Sequence, residues 1–581
     1  MLNLIKEGVP SLLAPPSHKR QLEGASWAVR AGGLSNDYGR GIAVDASGDA
    51  LVTGFFQGMA TFGSTSLVSN GSSDVFVGKV SSGGVWEWAV RAGGSSNDFG
   101  YGDIAVDASG GTLVTGFFQD TAMFGSTSLV SSGSSDVFVG KVSSGGVWEW
   151  AVRAGGSSSD YGDSIAVDAS GGALVTGYFQ GTAIFGNTSL VSSGNNDVFV
   201  GKVGSGGVWE WAVRAGSSLD DDGNGIAVDA SGDALVTGNF EGTAMFGSTS
   251  LVSSGSYDVF VGKVGSGGVW EWAVRAGSSL DDFGYGIAVD ASGGALVTGN
   301  FHRTATFGST SLVSSGSYDV FVVKVSSSGV WEWAVRAGGS SNDFAYGIAV
   351  DASGGALVTG NFEGTATFGS TSLVSSGGYD VFVGKVSNGG VWEWAVWAGG
   401  SSSDFGYGIA VDASGGALAT GNFQGTAMFG STSLVSSGNN DVFVWRLPVP
   451  MPTPLASPPP STGPPPLSLP SPCLPFPTSP IPAAPTPFSP SHPPPYSPPP
   501  LPSLPSPPSS PPPPSCSSPT GRTYTYPCCA NPSSSYGGMW VNARWIGEPW
   551  FAYACSCIIP QGTLIPVGSA SVDYCCYLGC S

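Results

Sequence analysis

The chain has 581 residues, 41 Asp and Glu against 20 Lys and Arg, and a formal net charge of −21. That balance excludes a nucleic-acid backbone as partner, because phosphate contacts need dense Lys and Arg. It also favours solubility and an attraction for cations. No run of about 20 apolar residues occurs, which excludes a membrane-spanning helix. Glycine is abundant at 91 residues, but aromatic residues reach 11%, so the glycines read as turns rather than disorder.

In chain order, the first segment is MLNLIKEGVPSLLAPPSHKR. It fits a signal peptide poorly, with one early Lys and a short apolar run broken by Pro before the basic HKR. Residues 1–25 are expected to be a disordered N-terminal segment. The rest of the chain nevertheless reads as secreted, which leaves the export route open.

From Trp27 to Arg446 a single unit recurs seven times. Its VDAS aspartate falls at Asp45, Asp107, Asp168, Asp229, Asp290, Asp351 and Asp412, a spacing of 62 once and then 61 five times. A fixed period marks a repeat architecture. The apolar runs IAVDA, ALVTGNF, DVFVGKV and VWEWAVRA are short, rich in Val, Phe and Trp, and bounded by Gly, Ser, Asn and Asp. That is strand punctuation. Four strands per unit are expected, with tight hairpins at DASGG and SSGGV. ATFGSTSLVSSG between the hairpins reads as loop with at most a short strand. Strands apolar on both faces are covered on both sides, as in a propeller blade. A solenoid would carry polar capping units at its ends, and these ends are not polar.

The seventh unit runs from DVFVWRL into proline and lacks its VWEWAVRA strand. An orphan copy of that strand, SWAVRAGG at Ser26 to Gly33, precedes the first unit. The orphan strand is expected to complete the last sheet and close the ring, which removes exposed edges. The fold class is therefore all-β, a seven-bladed β-propeller over residues 26–447. The pattern IAVDASGGALVTGNF, a spacer, then DVFVGKVSSGGVWEWA resembles the SBBP-type β-propeller repeat over about residues 26–447. The resemblance implies the fold and brings no catalytic residue, since the family has no single established activity.

Each unit contributes three aspartates. The VDAS position and the position opening the third strand (Asp74, Asp136, Asp197, Asp258, Asp319, Asp380, Asp441) read as turn caps. The ring Asp37, Asp98, Asp160, Asp221, Asp282, Asp343 and Asp404 precedes the innermost strand. It reads either as turn capping or, if its carboxylates converge at a channel mouth, as a weak Ca²⁺ site. No other cofactor is expected. The WEW pairs, from Trp86/Trp88 to Trp392/Trp394, lie two apart and so share one strand face, which suits packing between blades. The stem of Lys79 and its equivalents is expected on a Trp, with the charge near the ring or Glu87.

Catalysis has little to draw on. The chain has three His, and only His302 lies among the repeats. The departures from repeat symmetry are His302–Arg303, Asp120, Trp397 and Asp220–Asp222. Asn70 and Asn187 open glycosylation sequons.

Residues 448–515 hold 33 of the 42 prolines and no charged residue. The segment is expected to be a disordered or polyproline-II linker of roughly 200 Å at about 3.1 Å per residue. Its SPPP runs resemble the hydroxyproline-rich stalks of plant and green-algal wall glycoproteins of the extensin and pherophorin type, which implies an extracellular matrix. Residues 516–581 carry Cys516, Cys528, Cys529, Cys555, Cys557, Cys575, Cys576 and Cys580. So dense and even a set reads as a disulfide framework in a small module. Zinc is disfavoured, because the tail has no His. Trp540, Trp545, Trp550 and Tyr553 read as core or as a platform for sugar rings. Taken together, the sequence points to a non-enzymatic extracellular binding or cell-wall protein, with matrix protein or polysaccharide as partner. The alternatives are a polysaccharide lyase or hydrolase in the channel, marked by an asymmetric Tyr, His or Arg cluster, and a purely structural glycoprotein.

Overall fold

This computed structural model describes residues 26–448 and, in the tail, the strands Cys516–Ser517, Thr523–Tyr524, Val541–Trp545, Tyr553–Ile558 and Leu564–Pro566. The chain separates into two units, Met1–Thr462 and Gly463–Ser581. The third repeat shows how one unit is built. Asp160–Val167 pairs antiparallel with Ala173–Phe185, which pairs with Thr188–Gly204, which pairs with Val208–Gly216. The ALVTG run is buried at every position, as expected of a strand covered on both faces. At the first turn Asp168 Oδ1 accepts the amides of Ser170 at 2.8 Å and Gly172 at 2.9 Å. Those bonds set the hairpin.

The spacer is a hairpin, not a loop. Met59–Phe62 pairs with Thr65–Val68, and in later repeats the same residues extend the two central strands without a break. Alternating exposure along Met59–Phe62 buries Ala60 and Phe62. Phe62 then packs edge-on against Trp86 at 5.2 Å. The Ser/Thr/Gly composition hid this hairpin, because its exposed face mixes Thr61 and Ser66 with Met59 and Val68 while the buried face is only Ala and Phe. The first strand of the hairpin also pairs with the outer strand of the preceding unit, Ala31↔Phe62 and Ala122↔Gly94.

The two tryptophans of WEW do not share a face. The register slips between Lys79 and Val80, so Lys79 lies opposite Trp88 and Val80 opposite Trp86, with Glu87 as the extra residue. One added residue reverses the parity of a strand. Trp86 therefore packs with Phe62, Phe76 and Val442, and Trp88 with Leu51, Val75 and Ile104. Each pair stitches two junctions. Trp86 Nε1 donates to Arg30 O at 3.0 Å. The ring of Trp88 lies against Gly146, whose φ of +78° and missing Cβ leave room for it. Lys79 places its charge near Glu87, at 3.8 Å, as expected, and closer still to the turn carboxylates, 2.9 Å from both Asp45 and Asp49.

Trp27–Gly33 pairs antiparallel with Thr432–Leu447, from Trp27↔Arg446 to Ala31↔Val442. Arg30 meets Asp441 at 2.6 Å. The inner strands close a circle: Asp37–Val44 touches both Phe405–Val411 and Ile104–Val106, and the remaining inner strands touch in succession. Hydrophobic clusters sit between consecutive sheets. No helix among the described residues is long and apolar enough to cross a membrane.

Candidate functional site at the centre of the ring

The polar residues that recur in every repeat hold the fold. Asp37 opens the inner strand, is fully buried, and accepts the amides of Gly33 at 2.7 Å and Gln57 at 3.2 Å. Its equivalents do the same, as with Asp160, Gly156 and Gln180. The ring thus ties each outer strand to the hairpin of the next unit. Among the described residues no group of three His, Cys, Asp or Glu gathers as a metal site. Burial, against those amide bonds, pushes the carboxyls of Asp37, Asp221, Asp282, Asp343 and Asp404 up to about 7. Asp98 and Asp160 rise to about 6.

The aspartates opening the third strand lie beside this ring. A methyl on Gly32, at φ +150°, would come 2.8 Å from Asp441 Oδ1 and 2.9 Å from Asp37 Oδ2, so the junction requires glycine. An arginine from the outer strand answers the second carboxylate, as Arg91 does Asp74 at 2.7 Å. Trp397 replaces that arginine once, and burial then pushes Asp380 up to about 6. W397R is expected to lower the titration point of Asp380, read by carboxyl NMR, because a guanidinium favours the charged form. The VDAS aspartates move the other way. Burial raises Asp107, but Lys141, Ser109 and the turn amides outweigh it and hold it at about 2.

Two of the asymmetries are backbone substitutions. Asp120 and Arg303 adopt φ +56° where other repeats place glycine, for example Gly181 and Gly242. R303G is expected to stabilise by about 1 kcal/mol, since an arginine is strained there. D120G is expected to be near neutral, because Asp tolerates this region and Asp120 accepts from Ser96 Oγ at 2.5 Å. Urea denaturation of the two variants checks the contrast. His302 packs edge-on to Tyr318 at 5.2 Å. Asp222 accepts from Asn196 and Asn239, both at 3.1 Å. Asn70 and Asn187 are exposed. In the tail, Cys516, Cys555 and Cys557 fall on strands, and Trp545 lies opposite Tyr553 in register. Residues 1–25, the proline segment from residue 449, Trp540, Trp550, Cys528, Cys529, Cys575, Cys576 and Cys580 lie outside the described residues.

The position that varies most is the third residue after the buried aspartate of the inner strand. It reads Arg40, Tyr101, Asp163, Asn224, Tyr285, Tyr346 and Tyr407 through the seven repeats. The second repeat adds one residue here, which accounts for its spacing of 62. Its inner strand breaks between Phe99 and Ile104, and Asp103 enters the ring. These side chains line a central cavity of about 450 Å³. The Arg40 guanidinium lies 4.1 Å from the ring centres of both Tyr101 and Tyr407 and donates to Tyr101 Oη at 2.9 Å. Tyr407, Tyr346 and Tyr285 continue the arc at 5.3 and 5.2 Å. Opposite them stand Asp163 and Asn224, whose Nδ2 donates to Gly284 O at 2.9 Å. Burial, with Asp222 nearby, pushes Asp163 up to about 8. Asp103 is open to the lumen and accepts the amide of Ile104 at 2.9 Å; its surroundings push its carboxyl up. The sequence reading overlooked this ring; superimposing the seven units on Asp37 and its equivalents is the signal that finds it.

No family model matches the chain. An uncharacterized WD repeat-containing protein of Acanthamoeba polyphaga mimivirus is 22% identical over 435 residues, covering 59% of this chain and 31% of that relative. The chain thus spans about a third of the relative's length. Among solved structures, the Neurospora crassa Pan2 WD40 domain aligns at 10% identity and a TM-score of 0.35, over 71% of this chain and 89% of that one. The phage phi92 endosialidase aligns at 10% identity and a TM-score of 0.33, over 94% and 89%. At these scores the fold rests on the strand pairings and on the repeat relative. Together those make the chain a β-propeller repeat protein.

Proposed function

We propose that this protein is a non-enzymatic binding scaffold of an extracellular matrix or cell wall. Its core is a seven-bladed propeller of the SBBP type. The observation that carries the reading is the division of labour within the repeat. The recurring polar groups are bonded to backbone or paired with each other, and the position that varies most lines the lumen. A scaffold of this kind fixes its framework and varies its presented surface. The proline-rich segment 448–515 serves as a stalk, glycosylated in the manner of wall glycoproteins. The module 516–581, stapled by disulfides, anchors to polysaccharide or matrix protein through Trp540, Trp545, Trp550 and Tyr553. Asn70 and Asn187 carry glycans.

The test is a glycan and matrix-protein array probed with the full chain and with a chain ending at Pro448. Binding without turnover supports the scaffold. Loss of binding on truncation assigns it to the tail. Silence from both chains contradicts the reading. One observation favours a second reading, an enzyme acting on polysaccharide: the Arg40, Tyr101 and Tyr407 cluster shares a single cavity with two carboxyls, Asp103 and Asp163. Release of reducing ends or unsaturated products from the arrayed polysaccharides would establish it.

A further inference from the structure

The geometry points to the central cavity as a binding site for a single pyranose-type sugar, seated between the Tyr285–Tyr346–Tyr407 arc and the Asp103–Asp163–Asn224 wall. The inference rests on the propeller scaffold reading and gives its lumen a ligand class. A volume of about 450 Å³ lies within the range of roughly 300–1,000 Å³ typical of ligand sites. The two walls differ in chemistry, as a sugar ring's two aspects do. Tyr285 and Tyr346, both half-buried, offer aromatic faces to the C–H face of a pyranose at small entropic cost, while Arg40 covers Tyr407 at the end of the arc. Across from them, two carboxyls and the Asn224 amide oxygen supply hydrogen-bonding groups suited to hydroxyls, the Asn224 Nδ2 being bonded to Asn239 Oδ1 at 2.8 Å and Gly284 O at 2.9 Å. Arg40 Nε is buried with no hydrogen-bond partner among the described residues, a donor left over at the edge of the site.

An organic cation fits less well. Arg40 already covers the faces of Tyr101 and Tyr407 and would repel a second positive charge. Burial keeps the Asp163 carboxyl protonated at neutral pH, so it offers a hydrogen-bonding group and leaves Asp103 as the single counter-charge on that wall. The asymmetry also argues against a purely structural ring. Tyrosines at three consecutive blades and polar residues at two others give the lumen one orientation, whereas a merely packed lumen in near-identical repeats has no need of one.

The experiment titrates glucose, galactose, mannose, N-acetylglucosamine and glucuronate separately into the full chain by calorimetry, with tetramethylammonium as the cationic control. Saturable heat is expected with at least one sugar and none with tetramethylammonium. Y346A should weaken that sugar at least about tenfold, and D163N about threefold or more. Far-UV circular dichroism confirms that each variant folds, and D163N carries the test if Y346A does not. Absence of heat with all five sugars, saturation by tetramethylammonium instead, or binding unchanged in both variants would overturn the proposal. If the parent and Y346A retain the same array ligands while the cavity is silent, the scaffold stands and only the sugar site falls.

Discussion

A chain beginning at Leu34, without the strand Trp27–Gly33, is expected to lose cooperative unfolding altogether. The loss is larger than seven residues suggest. Thr432–Leu447 would expose its edge from Val442 to Arg446, an invitation to pair with another chain. Asp441, fully buried, would lose Arg30. Stranding a buried charge costs about 3–5 kcal/mol. The first hairpin would lose Ala31 as partner of Phe62, and Trp86 would lose its acceptor on Arg30. Together these approach the whole stability of an ordinary domain, about 5–15 kcal/mol. A chain beginning at Ala25 is expected to keep a single sharp transition in thermal circular dichroism. Equal melting of the two chains would contradict the account.

The second large effect is a stability maximum on the acid side of neutrality. Seven inner-strand aspartates, from Asp37 to Asp404, have carboxyls raised to about 6 or 7. Unfolded, they ionise near about 4. Between those values the folded chain holds more protons than the unfolded one, so stability falls as pH rises through the window. The VDAS carboxylates act oppositely. Asp107, Asp168 and Asp290 titrate at about 2 when folded, so their contribution is complete above about pH 4 and vanishes as pH falls toward 2. The midpoint of thermal unfolding should therefore peak near pH 4–5, more than about 5 °C above its value at pH 8. A peak at neutral pH, or a flat profile, would mean that the junction carboxyls are ionised without cost.

How much of this was legible in the sequence follows from where the information sits. The ring closure was, because a missing strand at one end and an orphan at the other are visible as text. The turn aspartates were too, since DASGG states its own hairpin chemistry. The parity of WEW was not, because the bulge at Glu87 is a property of pairing with Lys79 and Val80 and leaves no mark on its own strand. The junction role of Asp37 and its equivalents was hidden for a similar reason. Their amide partners, Gly33 and Gln57, come from two different strands, and a strand-opening aspartate looks the same whether it faces water or backbone. The lumen ring was legible in principle, in the column from Arg40 to Tyr407, with the 62-residue spacing marking it. That column holds residue types that look unrelated until the fold places them around one cavity.

Closure of the ring requires residues 27–33 and 432–447 to be neighbouring strands of one sheet. A V29C/V444C chain tests it most directly, since these residues are register partners and facing strand positions suit the disulfide span of about 4.4–6.8 Å between Cα atoms. Mild oxidation followed by non-reducing peptide mass spectrometry is predicted to recover one intramolecular link joining the two peptides in monomeric protein. Recovery of those thiols free, or linked only between molecules, would contradict the closed ring.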